Sequence, residues 1–100
     1  MIERELLELA AKAAGITLGE YWTPHLGRHH DHCWNPLTDD GDALRLAVKL
    51  EIRIDWGAFD VVAIEFNTDA VAREKKALDP YAATRRAITR AAAEIGRNMK

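Results

Sequence analysis

The chain has 100 residues, a formal net charge of −2 at pH 7, 48% apolar and 30% charged residues, and a single cysteine. This length predicts one domain able to bury about 65% of the surface its unfolded chain exposes, and a balanced composition argues against disorder. The charge gives no general attraction to nucleic acid or anionic membrane, no apolar run approaches the ~20 residues a bilayer needs, and Cys33 has no second cysteine for an internal disulfide. The acidic start, without a basic segment before an apolar one, does not read as a secretory signal. A cytoplasmic protein with no membrane partner is expected.

Residues 2–14 carry Ile2, Leu6, Leu9, Ala10 and Ala13 at helical spacing, with Leu7, Ala11 and Ala14 widening the stripe. Glu3 and Glu5 suit the positive end of this helix, and Glu8 and Lys12 form an i,i+4 pair. Gly15 ends it, followed by Ile16 placed to pack back on the last turn. Residues 16–22 have the β-branched and aromatic content of a strand, interrupted at Gly19. Residues 23–33, with Pro24, Gly27 and four histidines, read as an exposed loop or hairpin tip that would bring Trp22 close to Trp34.

Asn35-Pro36 is a turn signal. Thr38, Asp39 or Asp40 can then cap a helix over residues 40–50, where acids also meet the positive end of the dipole. Leu44, Leu46, Ala47, Val48 and Leu50 are its expected core residues. Across 51–66, Ile52, Ile54 and Trp56 alternate with Glu51, Arg53 and Asp55. A tight turn at Gly57-Ala58 predicts Trp56 opposite Phe59, Ile54 opposite Val61 and Ile52 opposite Ala63, with Trp56 in the core. The second strand also puts Val62, Ile64 and Phe66 on its other face, which implies cover by helices, a partner strand or a second copy. Residues 67–78 fit either a loop or a short helix. Asp79-Pro80 opens a helix over 80–95 as N-cap and first helical residue. Its core face is Tyr81, Thr84, Ile88, Ala91 and Ile95 with Ala87 and Ala92 beside them, and Gly96 is its terminator. The sum is an α+β fold: three helices on one face of a small antiparallel sheet, in the order α-β-(β)-α-β-β-α.

The run W-N-P-L-T-D-D-G-D-A-L-R-L-A-V-K-L over residues 34–50, with the opening E-L-L-E-L-A-A-K-A-A-G and the closing A-T-R-R-A-I-T-R-A-A-A-E-I-G, resembles a block in small proteins of tailed phages and prophages of proteobacteria. More distantly it is similar to the phage NinX-like proteins, with their N-P turn, D-A helix start and C-terminal R-A helix. The resemblance implies a phage or prophage origin and a setting in the cytoplasm of a bacterial host; it carries over no catalytic residue. The His-rich segment has no counterpart in that pattern.

His25, His29, His30, His32 and Cys33 are candidate ligands for zinc, nickel or copper, and in an extended segment His30 and His32 point to the same side. Their spacing matches no paired ligand framework, so an exposed loop that binds zinc only adventitiously is the plainer reading, and no cofactor is expected. Cys33 as a nucleophile lacks a separate base and orienting acid. Asp39, Asp40 and Asp42 lack the pattern of a calcium loop and suit capping, or a basic partner surface. Arg85, Arg86, Arg90 and Arg97, with Arg73, Lys75 and Lys76 upstream, could contact phosphates, but no aromatic residues interleave with them and the rest of the chain is acidic; a solvated helix face is favoured over nucleic-acid binding. Trp22, Trp34, Asp39 and Asp40 are the candidate partner-binding residues. With no catalytic constellation in the sequence, the expectation is a non-enzymatic module that binds a host or phage protein, possible as a homo-oligomer. Metal binding through residues 25–33 and nucleic-acid binding through the last helix are the alternatives.

Overall fold

The computed structural model describes residues 2–17 and 34–99. Helix α1 (Glu3–Ala14) begins after Ile2, whose N–H donates to Glu5 Oε1 at 3.3 Å. It ends at Gly15, whose φ of 73° is the left-handed cap glycine tolerates without strain. The Ile16 N–H then bonds back to the Ala11 carbonyl at 2.9 Å, and Ile16 packs against the core. Leu6, Leu7, Ala10, Ala11 and Ala14 are buried, so the inward stripe is rotated from the expected one: Ile2 is exposed and Leu9 only half-buried. Glu8 pairs with Arg4, and the Lys12 ammonium donates to the Met99 carbonyl. Ile16 and Thr17 are irregular, and the rest of the strand expected over 16–22, with the hairpin joining Trp22 to Trp34, lies outside the described residues.

Helix α2 (Asp40–Leu50) has the expected bounds and the expected acidic start, with Asp39 as N-cap accepting from the Asp42 N–H at 2.8 Å. Its buried residues are Asp42, Ala43, Leu46 and Ala47, while Leu44 and Val48, both expected inside, are 61% and 69% exposed. The reason lies in Asp42. Its buried carboxylate accepts from the Asn35 N–H at 2.9 Å, which turns positions 42, 43, 46 and 47 inward, and at about 100° per residue 44 and 48 then fall on the opposite side. Glu51 closes the helix in the left-handed region at φ 56°, and Ile52 folds back with its N–H on the Ala47 carbonyl. Ile52 is therefore buried as a cap residue and is not part of a strand.

Strands β1 (Arg53–Trp56), β2 (Asp60–Glu65) and β3 (Ala70–Lys75) form an antiparallel meander in the order β1-β2-β3. Trp56 pairs with Val61 and Ile54 with Ala63, two residues on from the expected register but with the same side chains facing the helices. Residues 57–60 make a wider connection, closed by the Gly57 N–H on the Asp60 carbonyl at 2.8 Å, and Phe59 sits on that turn. Residues 70–75, expected as loop or helix, are the third strand, with Ala70 and Ala72 buried and Val71, Arg73 and Lys75 exposed in a two-residue period.

Helix α3 (Pro80–Arg97) is capped by Asp79, whose Oδ1 accepts from the Tyr81 and Ala82 N–H groups. It packs on β2 and β3 and, most extensively, on α1; α2 lies against its N-terminal half. Gly96 is not the terminator expected. The helix continues through it, and a Cβ placed there would stand 2.0 Å from the Leu9 carbonyl oxygen, so this glycine lets α1 and α3 touch backbone to backbone. The α+β class holds, in the order α-α-β-β-β-α among the described residues. No helix among them is long and apolar enough to cross a membrane.

Candidate functional site

The N-P-L-T-D-D-G-D block builds one end of the molecule. Asn35 is buried, its side-chain oxygen takes the Leu37 N–H at 3.0 Å, and its carbonyl accepts from the N–H groups of Thr38 and Asp39. Pro36 is fully buried beside it. Asp39 caps α2, and Asp42 joins the Asn35 N–H to the Arg45 guanidinium. From α3, Arg85 reaches across with Nε on the Leu37 carbonyl at 2.9 Å and a terminal nitrogen 2.6 Å from Asp40 Oδ1. Asp39 and Asp40, candidate partner contacts, are thus held by groups of this same chain. Trp34 is half-buried against the core cluster. Trp22 and the candidate ligands His25, His29, His30, His32 and Cys33 lie outside the described residues, and among the described ones no cluster of three or more His, Cys, Asp or Glu side chains is arranged to hold a metal.

The arrangement leaves a groove of about 550 Å³ over the N-terminal half of α3. Tyr81, Thr84 and Ile88 form its floor; Ala43 and Leu44 of α2 form one wall, and Ile54 and Trp56 of β1 the other. The Asp40–Arg85 pair closes one end. Floor residues at i, i+3 and i+7 are the first half of the stripe expected to be core. Ile88 is buried as expected, whereas Thr84 is only half-buried and Tyr81, at the start of α3, is 69% exposed. Trp56, expected in the core, is 60% exposed instead. Its indole N–H donates to Thr84 Oγ1 at 3.0 Å, and that hydroxyl donates to the Pro80 carbonyl at 2.8 Å, which fixes the ring at the rim. Beside this end, the Lys76 N–H bonds to the Phe59 carbonyl at 2.9 Å and so joins the β1–β2 turn to the loop before α3; Phe59 and Leu78 on these segments are the most exposed of the large apolar side chains described. Trp56, Tyr81 and Leu44 were legible in the sequence only as apolar residues. What marks them is the placement of α2 and β1 beside α3, which no local pattern encodes.

The arginines expected to form a basic face are engaged with carboxylates. Arg86 and Arg90 converge on Glu74 from 3.3 Å and 2.5 Å, Arg97 sits 3.7 Å from Glu94, Arg73 holds Asp60 at 2.6 Å and Arg85 holds Asp40. Arg90 also donates to the Arg73 carbonyl on β3. Glu65 is buried at the β2–β3 turn, where the Thr68 hydroxyl, then the Thr68 and Asn67 N–H groups, hold its carboxyl below its ordinary range against an opposing push from burial.

Compared with known proteins, the chain matches no family model, no curated protein and no solved structure.

Proposed function

We propose that this chain is a small accessory protein of phage or prophage origin that acts in the bacterial cytoplasm by binding another protein and performs no catalysis. The apolar groove between α2, β1 and α3, with Trp56 at its rim and Tyr81 on its floor, carries this reading. Tryptophan and tyrosine dominate binding energy at protein interfaces because each adds a large apolar area and a polar end for little ordering entropy. Trp56 is already fixed by its bond to Thr84, so less freedom is lost when a partner covers it. The Asp40–Arg85 pair at the groove's end gives a polar group against which a partner segment can register. The carboxylates at the element ends are committed to holding backbone N–H groups and guanidinium groups, which also favours binding over acid–base chemistry.

The experiment is site-specific photo-crosslinking in the host that carries the gene, with the photoreactive side chain at Tyr81 or, as a control, at exposed Lys49 on α2. An adduct with one defined protein from position 81 and none from position 49 is expected. Substituting Leu44→Lys should weaken the binding of that purified protein by more than about tenfold, as for the loss of a central contact, while the urea midpoint stays within the spread of a surface change. Equal adducts from both positions, or unchanged affinity in the Leu44→Lys variant, refute the groove as the binding site.

A further inference from the structure

The outer face of the sheet, away from the helices, is a second apolar surface. Val62 and Ile64 run down its centre on β2, Val71 of β3 is 55% exposed, and Phe66 just past β2 is 62% exposed with the Arg53 guanidinium 5.8 Å from its ring centroid. No described helix lies on this face. Its charges are ordered by the register: Asp55, Val62 and Arg73 form one cross-strand row, with the acid at the β1 edge and the base at the β3 edge, and Arg53, Ile64 and Val71 form the next.

We infer that this face binds a second copy of the chain, through a two-fold axis running parallel to the strands along β2. That axis exchanges the two edges of the sheet. Val62 and Ile64 then meet Val62 and Ile64 of the second copy, and each Asp55 comes over Arg73 of the other, so one acid–base row supplies two intermolecular pairs. Stacked sheets stand about 10 Å apart, close enough for facing side chains to interdigitate. Asp55 is bound within its own chain through one oxygen, at 3.2 Å from Arg53, and Arg73 through one terminal nitrogen on Asp60, which leaves the second carboxylate oxygen and the rest of the guanidinium fork to face the other copy. A self-complementary surface of this kind is what an isologous dimer requires. From strand spacing and rise the face covers roughly 300 Å² per copy, against about 800 Å² per partner in a standard interface, so the dimer is of the reversible class, with a dissociation constant on the order of tens of micromolar or weaker. It uses a different surface from the groove and leaves both grooves open.

Sedimentation of the untagged chain across concentration tests this. The mass should rise from one 11.2 kDa chain near ~1 μM towards two chains near ~1 mM. Asp55→Arg and Arg73→Asp each place like charges face to face, and each should raise the dissociation constant by more than about tenfold. An equimolar mixture of the two variants should dimerise, because each then meets the opposite charge on the other. Val71→Lys, at an already exposed position, should dissociate the dimer without affecting the fold, which covers the case in which a charge reversal fails to fold. A single-chain mass at ~1 mM overturns the proposal, as does a dimer insensitive to Val71→Lys or a mixture of the charge variants that stays monomeric.

Discussion

Replacing Gly96 by alanine tests the closest contact in the fold. An added Cβ would lie 2.0 Å from the Leu9 carbonyl oxygen, 2.8 Å from its carbon and 3.3 Å from its Cα, all backbone atoms that no rotamer change can move. A comfortable carbon–oxygen contact needs more than an ångström of extra room, so α1 must withdraw from α3 by about that much. A gap of 0.5–1 Å already forfeits about a quarter to a half of a dispersion contact, and the buried faces of both helices are rich in alanine, which cannot reach across to refill it. Overpacking costs about 1–3 kcal/mol, and the upper end applies because backbone must shift. Alanine returns up to about 1 kcal/mol of helix propensity, less in a last turn. The net loss is about 2 kcal/mol, read as a fall of about 1–2 M in the urea midpoint. Gly15→Ala is the control: its site is open, φ is 73°, and the cost is conformational alone, about 1 kcal/mol. A Gly96→Ala midpoint at or above that of the parent chain would refute the backbone contact.

Asp42→Ala should cost about 1–3 kcal/mol, because the buried Asn35 N–H loses its acceptor; a urea midpoint unchanged from the parent would show that this bond does not anchor the turn. Thr68→Val removes the main cause of the lowered Glu65 pKa. A carboxyl lowered in the folded state contributes stability that is present above its unfolded pKa and is lost as pH falls through the folded one. The parent chain should therefore exceed the variant in stability at pH 7, with the gap closing as the buffer is taken down through the acidic range. Urea midpoints across that range measure it, and a gap that is constant or widens on acidification would refute the assignment.

Local chemistry was legible wherever a cap or turn residue acts on its own neighbours. Gly15, Asp39 and Asp79 end or start helices where the sequence places them, because an αL position or an oxygen aimed at a free N–H is a property of a few adjacent residues. The failures needed long-range information. Residues 70–75, Ala-Val-Ala-Arg-Glu-Lys, have Val71 as their one strong β-former and are drawn into the sheet by β2, which supplies a ladder partner for each of them. Gly96 resembles a helix terminator and is in fact a contact residue, which only the position of α1 reveals. The sequence sends Leu44, Trp56 and Tyr81 of the groove to the core because periodicity identifies an apolar stripe and says nothing about how far along it the neighbouring elements reach.

The misassigned residues share one cause. Thirteen of the nineteen buried apolar side chains among the described residues are alanine, whereas Leu44, Val48, Trp56, Phe59 and Tyr81, all expected on core faces, are exposed. A size-weighted reading of the sequence sends the large residues inside; this fold keeps the small ones there, since only they allow α1, α3 and the sheet to approach so closely. Each buried alanine contributes about one methyl group of transfer free energy, on the order of 1 kcal/mol, so the hydrophobic term is small for a chain with this apolar content. Polar fixtures at the element ends, Asp42 on Asn35, Arg85 on Leu37 and Asp40, and Glu65 on its turn, hold what apolar burial alone secures weakly. The large side chains can contribute only when something else covers them. A partner on the groove at about 100 times its dissociation constant would add about 2.7 kcal/mol to the stability of the fold, a substantial fraction of the 5–15 kcal/mol that holds a typical domain folded. In a chain built this way, a partner on the groove or on the outer sheet face would supply apolar burial that folding leaves undone.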